Sequence, residues 1–229
     1  METDLHINQH ISRRFNKELE QLRTKVLEMG GVVEQQVVDG TSALVDSDAE
    51  LGARVVQRDK EVNALEVAMD ESCVDIIARR QPAASDLRLI VSIIKTITDL
   101  ERIGDQAEKL GAFAVQLSDE GVSADKYSNL ENISEKALKV LRQALDSFAR
   151  MDAEAALEAA KMDKKVDKEY DAILRQVMTH MMEDPREIAN AMRVLWAARA
   201  LERIGDHATN ISEYVVYLVK GKDIRHLSN

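Results

Sequence analysis

The chain has few of the residues that interrupt helices or cross-link small domains. Its 229 residues include 2 Pro, 9 Gly and 1 Cys, and aromatic side chains make up 3% of the sequence. A lone cysteine cannot build a disulfide framework, so Cys73 is expected to be a buried thiol. Because helix breakers are rare and Ala, Leu, Glu, Lys and Arg dominate, the composition indicates a nearly all-helical protein.

Two further absences limit where the protein works and what it binds. No apolar run approaches the roughly 18 residues of a membrane-spanning helix, and the N-terminus has no hydrophobic signal region. We therefore expect a cytoplasmic protein that reaches membrane processes only through partners. The formal net charge is −10, whereas a nucleic-acid binder needs a basic stripe to neutralise phosphates. The sequence therefore argues against nucleic acid as a partner.

Apolar residues recur at steps of three and four along most of the chain, which is the pattern of amphipathic helices around a core. The pattern predicts six helices in two sets of three, and hence two tandem antiparallel three-helix bundles. Helix boundaries are expected at the turn signals of residues 46–48, at Gln81 and Pro82, at Met151 and Asp152, at Asp184 and Pro185, and at Gly221.

The two sets of helices are separated by a polar segment that contains Gly121. We predict a first three-helix repeat over residues 1–118, a linker over 119–128, a second three-helix repeat over 129–222 and a C-terminal tail over 223–229. Each repeat has roughly 100 residues, which is enough for a substantial core.

One six-residue sequence occurs twice in the chain. Residues 100–105 read Leu-Glu-Arg-Ile-Gly-Asp, and the same hexamer returns 101 positions later at residues 201–206. Further positions downstream agree at the same spacing, so the chain is a tandem duplication. Each hexamer places a Glu and an Asp four residues apart, which puts both carboxylates on one helix face with Cβ atoms about 5–6 Å apart.

A related acidic segment lies in the middle helix of each half. Residues 59–63 read Asp-Lys-Glu-Val-Asn and residues 163–167 read Asp-Lys-Lys-Val-Asp, so both segments offer an oxygen ligand at each end. Antiparallel packing would bring each segment against the hexamer of its own half. The predicted clusters are Asp59, Asn63, Glu101 and Asp105 in the first bundle, and Asp163, Asp167, Glu202 and Asp206 in the second.

Several carboxylates cannot all stay ionised side by side without compensation. A divalent or trivalent cation would supply it, and oxygen ligands suit Mg²⁺, Mn²⁺, Ca²⁺ or iron. The sequence lacks the Glu-x-x-His pairs of ferritin-like di-iron proteins, which argues against oxygen activation. His207 follows Asp206 but lies about 100° further round the helix, and its counterpart is Gln106, so we leave it out of the predicted ligands.

The acidic pairs have an alternative interpretation as solvated helix faces. Arg102, Arg199 and Arg203 stand close enough in sequence to pair with them, and an exposed ion pair is worth at most about 1 kcal/mol. Gly104 and Gly205 have two interpretations as well, because a small residue allows either close helix packing or space for ions beside the carboxylates. The sequence leaves both questions open.

The duplicated hexamer and the Asp-x-x-x-Asn/Asp segments closely resemble the PhoU family of bacterial phosphate-signalling regulators. Gln81 and Pro82, followed by Asp86, Leu87 and Arg88, resemble the family's entry to its third helix. The resemblance covers essentially the whole chain. It implies two three-helix bundles related by pseudo-twofold symmetry, metal ions (including multinuclear iron or zinc clusters) on the acidic motifs, and a homodimer.

The resemblance also implies a non-enzymatic adaptor. Members of the family are negative regulators of the phosphate regulon, and they link the phosphate-specific (Pst) ABC transporter, through its ATPase subunit, to a PhoR-type sensor histidine kinase. One position departs from the second repeat, because Asn63 stands where Asp167 is expected. A neutral amide lowers the ligand charge, so we expect the first site to bind a cation more weakly.

Two other functions remain open from the residues themselves. A metal-dependent hydrolase would need an open coordination position and a substrate pocket, and a purely structural helical bundle would need no role for the acids. The sequence has no glycine-rich phosphate loop, no Ser/His/Asp arrangement and no Cys/His pair, so the adaptor is favoured. The partner surface is not indicated, although Val38 and Trp196 are apolar residues outside the main core stripes.

Overall fold

The computed structural model describes residues 13–119 and 129–223. Within these ranges the chain forms seven α-helices and no strand, which confirms the all-α prediction. The helices are α1 (Arg13–Val45), α2 (Ala49–Arg80), α3 (Ala84–Asp119), α4 (Asn129–Arg150), α5 (Ala153–Met162), α6 (Lys164–Glu183) and α7 (Ile188–Lys220). The predicted linker, 119–128, and the tail, 223–229, lie almost entirely outside the described residues, so the predicted domain boundaries stay predictions.

The helices form the two bundles that the periodicity predicts. Helices α1, α2 and α3 pack on one another, and α4 packs with α5, α6 and α7. The bundles are joined where α3 packs on α7 and α1 packs on α4. Buried apolar side chains from all seven helices form one core that runs through both bundles.

The structure divides the predicted fifth helix in two. Asp163 ends α5 and begins α6, yet its backbone keeps helical angles, with φ −55 and ψ −37. Its carbonyl accepts hydrogen bonds from the N–H of Val166 at 2.7 Å and of Asp167 at 3.1 Å. The first of these bonds spans three residues and tightens one turn. Helices α5 and α6 therefore form one interrupted arm that takes the place of a single middle helix.

The turns after α1 and after α4 are the same structure in both repeats. Ser47, with φ 55, and Met151, with φ 53, adopt left-handed backbone angles. The next residues, Asp48 and Asp152, each accept hydrogen bonds from N–H groups in the first turn of the following helix. Such aspartates satisfy donors that a helix start would otherwise leave unpaired. Both predicted N-caps are confirmed.

The remaining turn signals also act where the sequence places them, with one difference. Gln81 closes α2 in the left-handed conformation, with φ 47, directly before Pro82. Gly221 closes α7 in the same way, with φ 66. Asp184 caps the segment after α6, but a short 3-10 turn (Pro185–Glu187) precedes α7, which begins only at Ile188.

The contact between α3 and α7, here called the seam, joins the two repeats. Asp99 Oδ1 of α3 lies 2.7 Å from His207 Nδ1 of α7, and the rings of Phe113 and Trp196 stack with centroids 6.3 Å apart. The helices are therefore antiparallel. Because Asp99 directly precedes the first hexamer and His207 directly follows the second, the two hexamers lie alongside each other at the seam.

Three single-residue features complete the description of the fold. Cys73 is buried, as predicted, and burial raises the pKa of its thiol to about 12. Trp196 remains 51% exposed beside Phe113, whereas Val38 is partly buried against the core. Among the described helices, none has a stretch that is long and apolar enough to cross a membrane.

Candidate metal centres

Two groups of carboxylates lie where the middle arm of each bundle packs on the helix that carries the hexamer. The middle arm is α2 in the first bundle and the interrupted α5–α6 in the second. In each group, three side chains bring carboxylate oxygens within 4.8 Å of one another. The first cluster consists of Asp59 on α2 with Asp105 and Glu108 on α3. The second cluster consists of Asp163 between α5 and α6, Asp167 on α6 and Asp206 on α7.

Five of the eight predicted site residues belong to these clusters, which are Asp59, Asp105, Asp163, Asp167 and Asp206. Glu101 and Glu202 are not among these close carboxylates, and the predicted role of the amide oxygen of Asn63 stays a prediction. Glu108 joins the first cluster and was missed by the sequence analysis. Glu108 lies three residues after Asp105 and therefore on the same helix face. Its counterpart in the second repeat is Thr209. Because the sequence analysis considered only acids present in both repeats, it did not include Glu108.

Gly104 and Gly205 serve the first of their two proposed roles, close helix packing, whereas space for ions stays a prediction. A Cβ atom on Gly205 would lie 2.6 Å from Asp163 Oδ1 and 3.2 Å from Val166 Cγ1. A Cβ atom on Gly104 would lie 3.3 Å from Asp59 Oδ1 and 3.2 Å from the equivalent valine, Val62. The glycines therefore allow close helix packing and also leave room for the carboxylate of the middle arm.

In the first cluster, Asp59 is held by hydrogen-bond donors. Asn63 Nδ2 donates to Asp59 Oδ2 at 2.9 Å, and Gln36 Nε2 donates to Asp59 Oδ1 at 3.5 Å. Both bonds satisfy acceptor oxygens of the buried carboxylate. Asn63 thus serves as a donor to a cluster residue, and this bond leaves its amide oxygen available for the predicted ligand role.

The other acids of the first site repel one another. Burial raises the pKa of Glu101, and the charge of Asp105 raises it further. Burial also raises the pKa of Glu108, with added repulsion from Asp59 and Asp105. Arg102 is the nearest base, with its Nε 3.5 Å from Glu101, but its side chain is 56% exposed. Solvent therefore weakens its compensation of the acids.

In the second cluster, the carboxylate of the middle arm is the most strongly perturbed acid. Burial raises the pKa of Asp163 to about 7, and repulsion from Asp167, Asp206 and Glu202 contributes to this rise. Asp163 Oδ1 is buried and accepts no hydrogen bond of ordinary geometry from the described residues, and the same is true of Glu202 Oε2. The hydroxyl of Thr209 is the near donor at Asp163, and it opposes the rise in the pKa of Asp163. These two oxygens are unlike those of a solvated acidic face, which water would satisfy.

Glu202 is turned toward a base. Arg199 Nη1 donates to Glu202 Oε1, and the guanidinium of Arg199 lies over the ring of Tyr170, 5.6 Å from its centroid. Burial is the main cause of the raised pKa of Glu202, and the charge of Asp206 adds to it. His207, in contrast, directs its Nδ1 to Asp99 across the seam and is not part of either cluster.

Comparison with known proteins agrees with the duplicated architecture. The sequence profile of the PhoU domain matches residues 26–114 and again residues 130–215. The chain belongs to the PhoU family. The two matched ranges contain both clusters, and each range includes one copy of the hexamer.

PhoU proteins with assigned names are similar over nearly the full length. The chain is 49% identical to the phosphate-specific transport system accessory protein PhoU of Escherichia coli, over 97% of this chain and 92% of that protein. It is 52% identical to the PhoU homologue of Pseudomonas aeruginosa, over 96% of this chain and 91% of that protein.

Solved PhoU structures share the fold. The crystal structure of PhoU from Pseudomonas aeruginosa superposes with a TM-score of 0.87 at 52% identity, and it covers 91% of this chain and 100% of that one. The phosphate transport system regulatory protein PhoU from Streptococcus pneumoniae gives a TM-score of 0.83 at 28% identity, and it covers 91% of this chain and 98% of that one.

The residues of this PhoU chain fit a bound cation. Each cluster offers three carboxylates, and hard ions prefer such oxygen ligands. The second cluster adds two buried oxygens that accept no hydrogen bond of ordinary geometry from the described residues, Asp163 Oδ1 and Glu202 Oε2. A glycine beside each cluster leaves space at the carboxylate of the middle arm. A bound ion would compensate the negative charge and hold the middle arm against the hexamer helix.

Proposed function

We propose that this PhoU-family chain is an accessory regulator of phosphate-specific transport. The observation that carries the proposal is its near-full-length similarity to the named accessory protein of Escherichia coli. More specifically, the chain would be a cytoplasmic adaptor that couples the ATPase subunit of the Pst ABC transporter to a PhoR-type sensor histidine kinase. When phosphate is plentiful, it would hold the kinase in its inhibitory state and restrain phosphate uptake.

We further propose that each cluster binds a divalent or trivalent ion, with Mg²⁺, Mn²⁺, iron and zinc as the candidates. The proximity of the three carboxylates and the unsatisfied buried oxygens of the second cluster support this role. The ion would stabilise the packing of α2 on α3 and of α6 on α7. A homodimer is part of the same proposal and follows from the family resemblance.

The adaptor is favoured over the hydrolase by the exposure of the second cluster. Asp167 and Asp206 are exposed residues on helix surfaces, whereas metal-dependent hydrolysis needs a shaped site that excludes bulk water. A purely structural bundle is disfavoured because like charges at four-residue spacing destabilise a helix by about 0.2–0.5 kcal/mol, and this chain repeats that arrangement in both halves.

A genetic complementation experiment tests the regulatory role. The gene is deleted in its host, and phosphate uptake and a phosphate-starvation promoter are measured under phosphate excess. We expect the deletion to raise both readouts and the wild-type chain to restore repression. Unchanged uptake and unchanged promoter activity in the deletion strain would contradict the proposal.

Two further measurements separate the finer claims. Co-purification of the chain with the kinase and with the transporter ATPase tests the coupling role, and binding to neither would exclude a direct adaptor. Elemental analysis of the purified protein beside the variant Asp163→Asn/Asp206→Asn tests the metal sites. Hydrolysis of a phosphate ester that stops when a chelator is added would favour the enzyme instead.

A further inference from the structure

Arg199 contacts Glu202, the acid beside the second cluster, and no basic residue stands at the equivalent position of the first repeat. Arg199 lies on α7 three residues before Glu202, and the equivalent position on α3, 101 residues earlier, is Thr98. Thr98 is exposed, and its hydroxyl donates to the carbonyl of Ile94 in its own helix. The two repeats thus place a cation and a neutral hydroxyl at the same distance before the acidic motif.

The aromatic partner of Arg199 is also specific to the second repeat. The guanidinium lies over the ring of Tyr170, 5.6 Å from its centroid, an arrangement that stabilises a cation. Tyr170 is seven residues after Asp163, and the residue seven after Asp59 is Glu66. The Glu66 charge contributes to the raised pKa of Glu101. The first repeat therefore has an additional acid, Glu66, at the position where the second repeat has the tyrosine that stacks with Arg199.

Arg199 differs from the bases that the two hexamers share. Arg102 and Arg203 occupy the same place in the two hexamers, so their effects on the two sites are similar in kind. Arg199 hydrogen-bonds Glu202 directly. Burial and Asp206 raise the pKa of Glu202, and Arg199 opposes that rise. It therefore already supplies part of the compensation that the second site needs.

We propose that Arg199 is a built-in counterion beside the second cluster, which competes with metal ions for the negative charge of Glu202 and makes this site weaker for hard cations than its carboxylates alone would be. The inference rests on the proposed role of the clusters as cation sites. While Arg199 holds Glu202 Oε1, only Oε2 of that carboxylate is free to face a cation. Arg199 thus acts as a residue that sets affinity and discriminates between the two sites.

An exchange of the two equivalent residues tests the inference. The variants are Arg199→Thr and Thr98→Arg, each made in the full chain. Binding of Mn²⁺ is measured by calorimetry at about pH 8, where most carboxyl groups are ionised. To observe one site at a time, the second cluster is read in the background Asp105→Asn and the first in the background Asp206→Asn.

We expect Arg199→Thr to raise the Mn²⁺ affinity of the second cluster about two- to fivefold, because a positive charge beside the carboxylates is removed and solvent already weakens the effect of this half-exposed side chain. We expect Thr98→Arg to lower the affinity of the first cluster by a similar factor. Circular dichroism and thermal unfolding establish that each variant folds. Since one variant gains and the other loses affinity, partial unfolding cannot produce both results.

Two results would overturn the inference, and they have different meanings. If Mn²⁺ binds the second cluster but Arg199→Thr leaves its affinity unchanged or lower, Arg199 is not a competitor, and the proposed metal function stands. If Mn²⁺ binds neither cluster of the wild-type chain, the metal function fails together with this inference.

Discussion

Asp99 and His207 join the two repeats at one end of the paired hexamers. Their Oδ1 and Nδ1 atoms are 2.7 Å apart, and the side chains are only 9% and 14% exposed. Asn210 donates a second hydrogen bond to the same oxygen at 3.2 Å. At the equivalent places of the duplication the chain has Ala200 and Gln106. The polar contact therefore lies at one end of the paired hexamers, and the residues at the symmetry-related end cannot form the same contact.

We expect Asp99→Ala to lower the free energy of unfolding by about 1–3 kcal/mol, because His207 and Asn210 lose a largely buried acceptor. Urea denaturation measures the change. The double variant Asp99→Ala/His207→Gln makes both ends of the seam alike, and we expect it to be less destabilised than the sum of its single variants, by about 0.5 kcal/mol or more. Strict additivity would show that the two side chains are not coupled.

Gly205→Ala is expected to displace Asp163, since the new Cβ would lie 2.6 Å from Asp163 Oδ1. We predict a loss of about 1–3 kcal/mol in stability and weaker cation binding at the second cluster, measured by thermal unfolding with and without Mn²⁺. Gly31→Ala is the matched control. Nothing described lies within 4 Å of its Cβ, so the helix should gain up to about 1 kcal/mol. Equal effects of both variants would refute the steric role.

Glu108→Gln tests the revised composition of the first cluster. Because Glu108 is one of its three close carboxylates and Asn63 is not, we expect Glu108→Gln to weaken Mn²⁺ binding about tenfold, and Asn63→Ala to weaken it much less. Calorimetry in the background Asp206→Asn gives both values. A larger effect of Asn63→Ala would restore the ligand set proposed from the sequence.

The raised pKa of Asp163 predicts how stability depends on pH in the metal-free protein. The folded chain keeps a proton on Asp163 up to about pH 7, whereas the unfolded chain releases it near 3.8. The folded state therefore binds more protons between these values, and the free energy of unfolding falls as pH rises through them. We expect the metal-free protein to be about 1–3 kcal/mol more stable at about pH 5 than at about pH 8.

Thermal unfolding of Asp163→Asn serves as the control for this dependence, and we expect a flatter profile. Added Mn²⁺ should raise Tm more at about pH 8 than at about pH 5, since protons and cations compete for the same oxygens. If the Tm of the metal-free protein increased with pH over this interval, the pKa values of the carboxyl groups in the second cluster would not be raised together.

Periodicity was sufficient to predict the bundles because each helix buries one continuous apolar face. The turns could be located because helix capping is local. Asp48 and Asp152 accept hydrogen bonds from N–H groups only two or three residues further along the chain. Five of the cluster residues also followed, because the duplication marks them twice. In these cases the residues that determine a feature lie within a few positions of it in the sequence.

Other features depend on contacts that the sequence does not display. Glu108 belongs to the first cluster because α2 brings Asp59 next to it, and no duplicated acid indicates it. The hydrogen bond from the amide nitrogen of Asn63 to Asp59 likewise depends on the packed structure. The interruption at Asp163 arises in a segment whose apolar spacing fits an unbroken helix. Such details are decided by packing between helices.

The antiparallel pairing of the hexamers also bears on the symmetry of the chain. Two identical sequences that lie alongside each other about a pseudo-twofold axis have the geometry of an isologous interface between identical subunits. The seam therefore repeats within one chain the arrangement that two copies of a single repeat would make across a dimer interface. Asp99 and His207 break this symmetry, because their equivalents are Ala200 and Gln106.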